Sequence, residues 1–413
     1  MPLMIPSTVP TSEQGIRDLS TDERVRRAFQ FFVERAEAIT AEHVAICEIP
    51  APPFGEGARA ELFRRKFREC GLQEVEIDVE GNCLGLRRGR ELHPLMVASA
   101  HLDTVFPEGT NCAVRREGGK LFAPGIADDA CGLVALLALA RALNAAEIET
   151  EGSLLFVATV GEEGKGNLRG VRHLFEAGQW AGEIDAFLSF DGAGSQSITH
   201  RALGSRRYRV IFKGEGGHSW SDFGVANPVH ALGRAVARLV SYPVAASAGS
   251  PRTSFNVGRI EGGAGVNVIA REAAMDVDLR SESAAELQRL DAFFRRAVRA
   301  AADDENTARR GNSAPLDVDL QLLGDRPGGE TPIDAPLVQL ALAATQLIGV
   351  RPQLDCSSTD SNIPIAHGTP AITLGAGGLS AGSHTLSEWY DPRGREEGLK
   401  RALLVLLGVV GIK

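Results

Sequence analysis

Three continuously apolar segments constrain what this protein can fold into, because acidic or imidazole side chains closely follow each of them. The segments are L-M-V-A-S-A (95–100), L-L-F-V-A-T-V (154–160) and A-F-L-S-F (186–190). Strands without an alternating polar face are covered on both sides, as in the parallel sheets of α/β proteins. The polar residues that follow are His101 with Asp103, Glu162 with Glu163, and Asp191. In a parallel sheet they gather at the carboxyl edge, where open α/β folds bind ligands.

The order of the remaining elements predicts two domains. Strands and helices alternate up to residue 203 and again from Pro332, which predicts a mixed, mostly parallel sheet flanked by helices. From Gly204 the pattern is β-α-β-β-α-β, the split βαβ order of a small ferredoxin-like α+β domain. We therefore predict a catalytic domain in two parts, 1–203 and 329–413, around an inserted domain at 204–328. The Pro/Ser/Thr-rich residues 1–20 predict a loose arm before a helix that begins near Thr21.

Length, charge and cysteine content exclude several classes of protein. At 413 residues the protein exceeds the size that one hydrophobic core usually serves, which supports two domains. A net charge of -9 provides no basic surface for nucleic acid or an anionic membrane. The first residues lack a secretory pattern, and every apolar run is shorter than the roughly 20 residues that cross a bilayer. We expect a cytoplasmic protein whose 6 cysteines are reduced thiols.

The acidic and imidazole residues have the composition of a metal site, which also includes Asp128 and Asp129 in G-I-A-D-D-A and His384 in G-S-H-T-L. Each has an ordinary alternative, since Asp128 or Asp129 can cap the following helix and a lone histidine is usually not a ligand. Glu162 and Glu163 can be a solvated turn. Together, however, the acids would crowd negative charge at one sheet edge, which costs stability unless cations neutralise it. Zinc, manganese and cobalt are the ions that imidazole and carboxylate ligands favour.

Six motifs follow one another in the sequence, namely H-x-D, G-x-x-D-D, G-E-E-G, a strand-terminal D-G, a central G-G-H-S and a late G-x-H. This order resembles the co-catalytic zinc exopeptidases, the family of peptidase T, glutamate carboxypeptidase, aminoacylase and succinyl-diaminopimelate desuccinylase. The similarity extends from I-P-A-P-P-F-G-E at Ile49 to H-T-L-S-E-W at His384. It implies two divalent metal ions per subunit, zinc or else manganese or cobalt. It implies as ligands Asp128 as the bridge, His101 and Asp191 in one site, and Glu163 and His384 in the other.

The resemblance also implies roles for two acids that do not bind metal. Asp103 would orient His101 and fix its tautomer. Glu162 would be the general base, which takes a proton from the water that bridges the metals and delivers it to the leaving amine. A cis peptide bond between Asp128 and Asp129 is implied as well.

The resemblance implies that the inserted domain is a lid, through which two subunits form a homodimer and which contacts the substrate. His218 in G-E-G-G-H-S-W matches a histidine that reaches across a dimer into the partner's active site to polarise the scissile carbonyl. Arg280 in D-V-D-L-R-S and Asn267 in G-V-N-V-I-A match positions that hold the substrate's carboxylate and backbone. The structural alternatives are a loop histidine, a salt-bridge arginine and an asparagine in a turn.

These observations predict a hydrolase that cleaves an amide bond in a small peptide or N-acyl amino acid. The segment C-S-S-T-D-S-N-I-P from Cys356 resembles the peptidase T branch, which favours peptides. An alternative within the same class is a carboxypeptidase or deacylase of N-acylated acidic amino acids, with Arg280 on the free carboxylate. A catalytically silent metal-binding scaffold is the alternative of another class. The presence of Glu162 argues against it, because a structural metal site would not need a base.

Overall fold

The computed structural model describes residues 13–244, 250–310 and 312–413. The protein divides into two compact units, Met1–Ala202 with Glu330–Lys413 and Leu203–Gly329. Within the described residues no helix has the length and apolar character needed to cross a membrane. The cysteines are all free thiols, five of them buried.

The first part of the larger unit contains helices and strands in alternation. The helices are α1 (Glu13–Thr21), α2 (Glu23–Glu34), α3 (Ala36–Cys47), α4 (Gly57–Glu69), α5 (Ala130–Ala145) and α6 (Arg169–Glu176). The strands are β1 (Gln73–Ile77), β2 (Cys83–Arg87), β3 (Leu95–His101), β4 (Arg115–Glu117), β5 (Lys120–Phe122), β6 (Ser153–Thr159), β7 (Ala186–Phe190) and β8 (Ser197–Ala202).

The inserted unit follows, and the sequence then returns to the larger unit. The inserted elements are β9 (Gly204–Lys213), β10 (Gly217–His218), α7 (Pro228–Leu239), β11 (Thr253–Gly262), β12 (Val268–Ile269), β13 (Glu272–Ser281), α8 (Ala284–Ala308) and β14 (Asp317–Arg326). The remaining elements are β15 (Gly329–Glu330), α9 (Pro336–Leu347), β16 (Gln353–Ser357), α10 (Asn362–Ala366), β17 (Ala371–Leu374), β18 (Leu379–Ala381), β19 (Trp389–Asp391) and α11 (Arg395–Val410).

The large sheet has the strand order β1-β2-β6-β3-β7-β17-β8-β15, with β16 paired to β8. Its four central strands, β6, β3, β7 and β17, are parallel, whereas β1 with β2, β2 with β6 and β8 with β17 pair in antiparallel fashion. This arrangement confirms the predicted mixed, mostly parallel sheet. It also brings the carboxyl ends of the four central strands to the same edge.

The apolar segments are buried because helices cover both faces of the sheet. Every residue of β3, β6 and β7 is buried. Along β3, Met96 and Ala98 pack into a core cluster that includes α5, α9 and α11, whereas Leu95 and Val97 pack into a second cluster with α6. Because apolar residues pack against both faces of these strands, their sequences do not alternate between apolar and polar residues.

The inserted unit is an antiparallel sheet of order β11-β13-β9-β14, with α7 and α8 on one face. Alternate residues of β9, including Tyr208, Val210 and Phe212, pack into the core beneath the helices. The elements follow the predicted β-α-β-β-α-β order. The opposite face carries charged side chains in cross-strand pairs, such as Arg209 with Asp276.

The amino-terminal prediction was wrong where the structure describes it. Residues 1–12 of the predicted loose arm lie outside the described residues, but α1 occupies Glu13–Thr21. Its apolar side packs into the main core through the buried Ile16. Beyond the predicted helix start near Thr21, the structure has two helices, α2 and α3, which are separated at Arg35.

Candidate metal centre

The predicted site residues of the larger unit are placed by the ends of three central parallel strands, by the start of α5 and by the loop between β18 and β19. His101 is the last residue of β3, and Glu162 and Glu163 follow β6 after a turn. Asp191 follows β7 directly, so these residues come from the carboxyl edge of the large sheet. His384 lies between β18 and β19 of a separate small sheet and reaches the site from there.

Asp128 lies between two histidines. Its Oδ1 is 3.0 Å from Nε2 of His101, and its Oδ2 is 3.0 Å from Nε2 of His384. The same His384 nitrogen is 3.0 Å from Oε1 of Glu163. His101, Asp128 and Glu163 offer ligand atoms that all lie within 4.8 Å of one another, a group that could hold a metal ion. The two oxygens of the Asp128 carboxylate thus face two different histidines.

The loop after β6 is not the solvated turn that the sequence left open. Glu162 is only 4% exposed and Glu163 only 7%. Gly161 has a φ of 70°, in the left-handed region that glycine adopts without strain, and so turns the backbone into the site directly after the strand. The sequence V-G-E-E-G therefore places two buried acids at the sheet edge.

Asp103 lies beside His101, with its backbone oxygen nearer to the ring than its carboxylate. Nδ1 of His101 lies 3.0 Å from the backbone oxygen of Asp103, whereas the Asp103 carboxylate is 3.8 Å away. The carbonyl can only accept, so it fixes the His101 tautomer with the proton on Nδ1. The carboxylate instead accepts the backbone N–H groups of Glu162 and Glu163, at 3.1 and 2.8 Å. Asp103 thereby fixes the loop that carries the predicted base.

Asp129 takes the helix-capping role that the sequence left open for either acid of the pair. Its carboxylate accepts from the N–H of Gly132 as the N-cap of α5, and also from the N–H groups of His101 and Gly192. A Cβ at Gly132 would lie 2.4 Å from these oxygens, so glycine is required there. The bond between Asp128 and Asp129 is cis, as the resemblance implied.

His384 reaches the site from a residue with unusual backbone geometry. Its φ of 66° lies in the left-handed region, which is uncommon for residues other than glycine and is found disproportionately at functional sites. The side chain is 55% exposed, unlike the buried His101. His384 is therefore exposed to solvent, whereas His101 is buried.

Electrostatics show how strongly the acids interact. Burial raises the pKa of Asp191 well above its usual range, and the negative charge of Asp128 adds to this effect. Burial likewise raises the pKa of Asp129 well above its usual range, against the nearby His101. Hydrogen bonds to Asp128 and Glu163 raise the pKa of His384 to about 10. At Asp128 the effect of burial is instead outweighed by the hydrogen bonds from His101 and His384, which lower its pKa, so the two histidines stabilise the negative charge of this acid.

Sequence reasoning missed Glu388, which is fully buried beside the site. Its carboxylate accepts the N–H groups of Gly125, Ala127 and Asp128. Burial outweighs these three hydrogen bonds and raises the pKa of Glu388 to about 7. The only available signal was an acid four residues after His384, directly before the buried β19.

The three predicted residues of the inserted unit are half-buried or exposed. His218 in β10 pairs with Val268 in β12, and the backbone oxygen of Asn267 accepts the N–H of Ser219 at 3.0 Å, so His218 and Asn267 are neighbours. Arg280 lies on β13, and its Nε donates to Asp278 at 2.6 Å. The salt-bridge alternative for Arg280 therefore describes one of its contacts.

The donor set in the larger unit fits a pair of divalent metal ions. Imidazole nitrogens and carboxylate oxygens are the usual ligands of zinc, manganese and cobalt. A carboxylate whose two oxygens face different histidines has the arrangement that a bridging ligand needs. Cys131 contributes no thiolate, because burial raises its pKa well above the usual range and its Sγ donates to the Ala127 oxygen.

Comparison with known proteins identifies the family. The family model described as peptidase family M20/M25/M40 matches residues 97–410. This chain belongs to that family. It is accordingly a hydrolase of amide bonds, and the predicted relationship to the co-catalytic exopeptidases is confirmed.

Individual relatives have low sequence identity to this chain, but the similarity covers most of each protein. The uncharacterised protein YqjE of Bacillus subtilis is 25% identical over 353 residues, which cover 81% of this chain and 89% of YqjE. The crystal structure of the aminopeptidase PepT of Bacillus cereus superposes with a TM-score of 0.73 at 20% identity, covering 91% of this chain and 98% of PepT. That of the Bacillus subtilis protein YxeP, a dinuclear metal-binding peptidase, gives a TM-score of 0.67 at 17% identity, covering 91% of this chain and 99% of YxeP. These structures support the fold.

Proposed function

We propose that this protein is a dinuclear metal-dependent exopeptidase that hydrolyses the terminal amide bond of small peptides. The observation that carries the proposal is the Asp128 carboxylate, with one oxygen 3.0 Å from His101 and the other 3.0 Å from His384. In this proposal His101, Asp128 and Asp191 hold one ion, and Asp128, Glu163 and His384 hold the other. Zinc is the ion we favour, because nitrogen and oxygen donors in small sets suit it.

When bound, the two ions supply Lewis acidity, which polarises the scissile carbonyl and lowers the pKa of a water molecule. Glu162 takes a proton from that water as the water oxygen adds to the carbonyl carbon. The carbon–nitrogen bond then breaks, and Glu162 gives the proton to the leaving amine. Asp103 supports this role by fixing the backbone of Glu162 through its carboxylate, 3.1 Å from the N–H.

His218 is proposed to polarise the substrate carbonyl from a neighbouring subunit of a homodimer. Its Nδ1 faces the backbone N–H groups of Trp220 and Ser221, at 3.2 and 3.4 Å. These contacts require Nδ1 to accept, so the neutral ring carries its proton on Nε2. An N–H on the exposed side of the ring is the donor that a developing oxyanion requires.

We expect the His218→Ala and Glu162→Ala variants, each inactive alone, to regain activity when mixed. In a mixed dimer, one site keeps its own Glu162 and receives an intact partner histidine. Random exchange of subunits would therefore restore about a quarter of the sites. Steady-state activity after verified subunit exchange measures this, and absence of any recovery would place His218 outside the partner's site.

A second candidate is a carboxypeptidase or deacylase of N-acylated acidic amino acids. The half-exposed Arg280 is compatible with it, because Asp278 contacts Nε and the terminal nitrogens of the guanidinium can donate to a substrate carboxylate. Peptides and N-acyl amino acids both present such a group, so the choice depends on the other end of the substrate.

Mass spectrometry of a pooled library separates the two candidates. The zinc- or manganese-loaded protein is incubated with dipeptides, tripeptides and N-acyl amino acids, with a chelator-treated control. We expect chelator-sensitive release of terminal residues from peptides. Cleavage confined to N-acylated acidic amino acids would favour the second candidate, and no cleavage by fully metallated protein would contradict both.

A further inference from the structure

The segment that carries Asp128 is fixed from one side by Glu388. One oxygen of this buried carboxylate accepts the N–H of Gly125 at 2.9 Å. The other accepts the N–H groups of Ala127 and Asp128, at 2.7 and 2.9 Å. Glu388 comes from a remote part of the sequence, next to β19, which pairs with β5 just before the segment begins. One carboxylate thus orients three donors around the bridging acid.

A histidine holds the same segment through a different contact. Nε2 of the buried His43 lies 2.6 Å from the backbone oxygen of Ile126, and its Nδ1 lies 3.0 Å from a terminal nitrogen of Arg395. A guanidinium can only donate, so Nδ1 accepts and the proton resides on Nε2. His43 therefore donates to the Ile126 carbonyl. Arg395 also donates hydrogen bonds to Thr40 and Tyr390, which fix the guanidinium that contacts His43.

We infer that Glu388 and His43 are positioning residues, which hold the 125–128 segment so that both oxygens of Asp128 face their histidines at once. The inference rests on the proposed function, because the bridging role of Asp128 does. Neither residue is among the proposed ligands, and neither is assigned a proton transfer. Their effect is geometric, and small displacements of a supporting shell are enough to loosen a metal site.

The chemistry of the contact requires a carboxylate rather than an amide. Both oxygens of Glu388 accept, whereas glutamine has one accepting oxygen and one donating nitrogen. In Glu388→Gln, either Gly125 or the pair Ala127 and Asp128 would face an N–H group instead of an acceptor. The segment would have to shift at one end, and the direction in which Asp128 points would change.

The test compares Glu388→Gln with Asp185→Asn. Asp185 is a matched control, because it is also buried and accepts a backbone N–H, that of Leu95 at 2.6 Å, but it lies before β7 at the opposite edge of the sheet. The readouts are the zinc dissociation constant by competition with a chelating dye, the unfolding midpoint, and kcat and KM separately. If the wild-type protein binds no divalent ion, the proposed function itself is wrong. If it binds zinc, the comparison of the two variants tests the positioning role.

We expect Glu388→Gln to weaken zinc binding about tenfold or more and to lower kcat with little change in KM. Asp185→Asn should keep the wild-type zinc affinity even if its unfolding midpoint falls as far as that of Glu388→Gln. Equal zinc affinity in Glu388→Gln and wild type, or equal weakening in both variants, would overturn the inference. If Glu388→Gln does not fold, Glu388→Asp keeps the charge with a shorter reach and is subject to the same criteria.

His43 provides an independent check by rescue. His43→Leu removes the donor to Ile126 and should weaken zinc binding, whereas His43→Gln can present an amide N–H to the same carbonyl and should restore part of the affinity. Equal zinc affinity in the two His43 variants would contradict the positioning role of His43.

Discussion

The carboxylates at the carboxyl edge of the large sheet and those on the open face of the small sheet are held by different partners. At the edge, Asp103, Asp129 and Glu388 are buried and accept backbone N–H groups. On the open face, Asp276 and Asp278 are half-exposed and paired with arginine side chains. Backbone donors are fixed by the fold, whereas arginine side chains can rearrange and are screened by salt. The acids with backbone partners therefore support the segments that carry the proposed metal ligands.

Among the changes considered, Asp103→Ala should cause the largest loss of stability and activity at the carboxyl edge of the large sheet. It leaves the buried N–H groups of Glu162 and Glu163 without an acceptor, at a cost of about 1–3 kcal/mol each. We expect a lower unfolding midpoint and a large loss of kcat, because the loop that carries the proposed base, Glu162, is no longer fixed. Chemical denaturation and steady-state kinetics measure these effects. A variant with wild-type stability and kcat would show that the loop is fixed by other contacts.

Asp276→Ala should have a far smaller effect on stability than Asp103→Ala. Its partner, Arg209, also contacts Glu261, and the pairs lie on a solvated face where such interactions contribute little. We expect a loss of stability about an order of magnitude smaller, which shrinks further as salt is raised. Parallel denaturation of the two variants at low and high salt is the measurement. A loss that matches Asp103→Ala and ignores salt would remove the distinction between the two regions.

The smallest expected effect is a change of stability with pH at the opposite edge of the large sheet, where Asp185 accepts from a backbone N–H and also pairs with a side chain. It accepts the Leu95 N–H and also pairs with His93 at 2.7 Å. The hydrogen bond to Asp185 raises the pKa of His93 above its usual value. This pair therefore adds stability that is fully present below about pH 6.5 and is lost as the pH rises through the raised pKa.

We accordingly expect the stability difference between wild type and Asp185→Asn to be larger at about pH 5.5 than at about pH 8. Denaturation at the two pH values measures it, and NMR titration of the His93 ring is the direct control. A pH-independent difference would mean that His93 gains nothing from Asp185 in the folded state.

The sequence allowed the ends of the central strands to be located because the chemistry there is local. Apolar runs that stop at His101, Glu162 and Asp191 define both the strand and the polar residue that follows it. The apolar segment 186–190 coincides with the strand Ala186–Phe190 of the structure. The family resemblance added the order of the motifs.

The supporting contacts could not be predicted, because they join segments that are remote in sequence. Glu388 is 263 residues from Gly125, and no periodicity indicates that they meet. Whether the carbonyl or the carboxylate of Asp103 faces His101 depends on distances below an ångström, which a motif does not contain. The helix over Glu13–Thr21 was missed because tertiary packing of Ile16, rather than local composition, stabilises it.

The most direct test of the account is the number of metal ions per subunit in three proteins. After loading with zinc and removal of excess, elemental analysis is applied to wild type, Glu162→Ala and Asp128→Ala, with turnover measured on the same samples. We predict two ions in wild type, two ions without turnover in Glu162→Ala, and loss of metal in Asp128→Ala. Full metal content in Asp128→Ala, or unimpaired turnover in Glu162→Ala, would contradict a site in which Asp128 bridges the ions and Glu162 moves the proton.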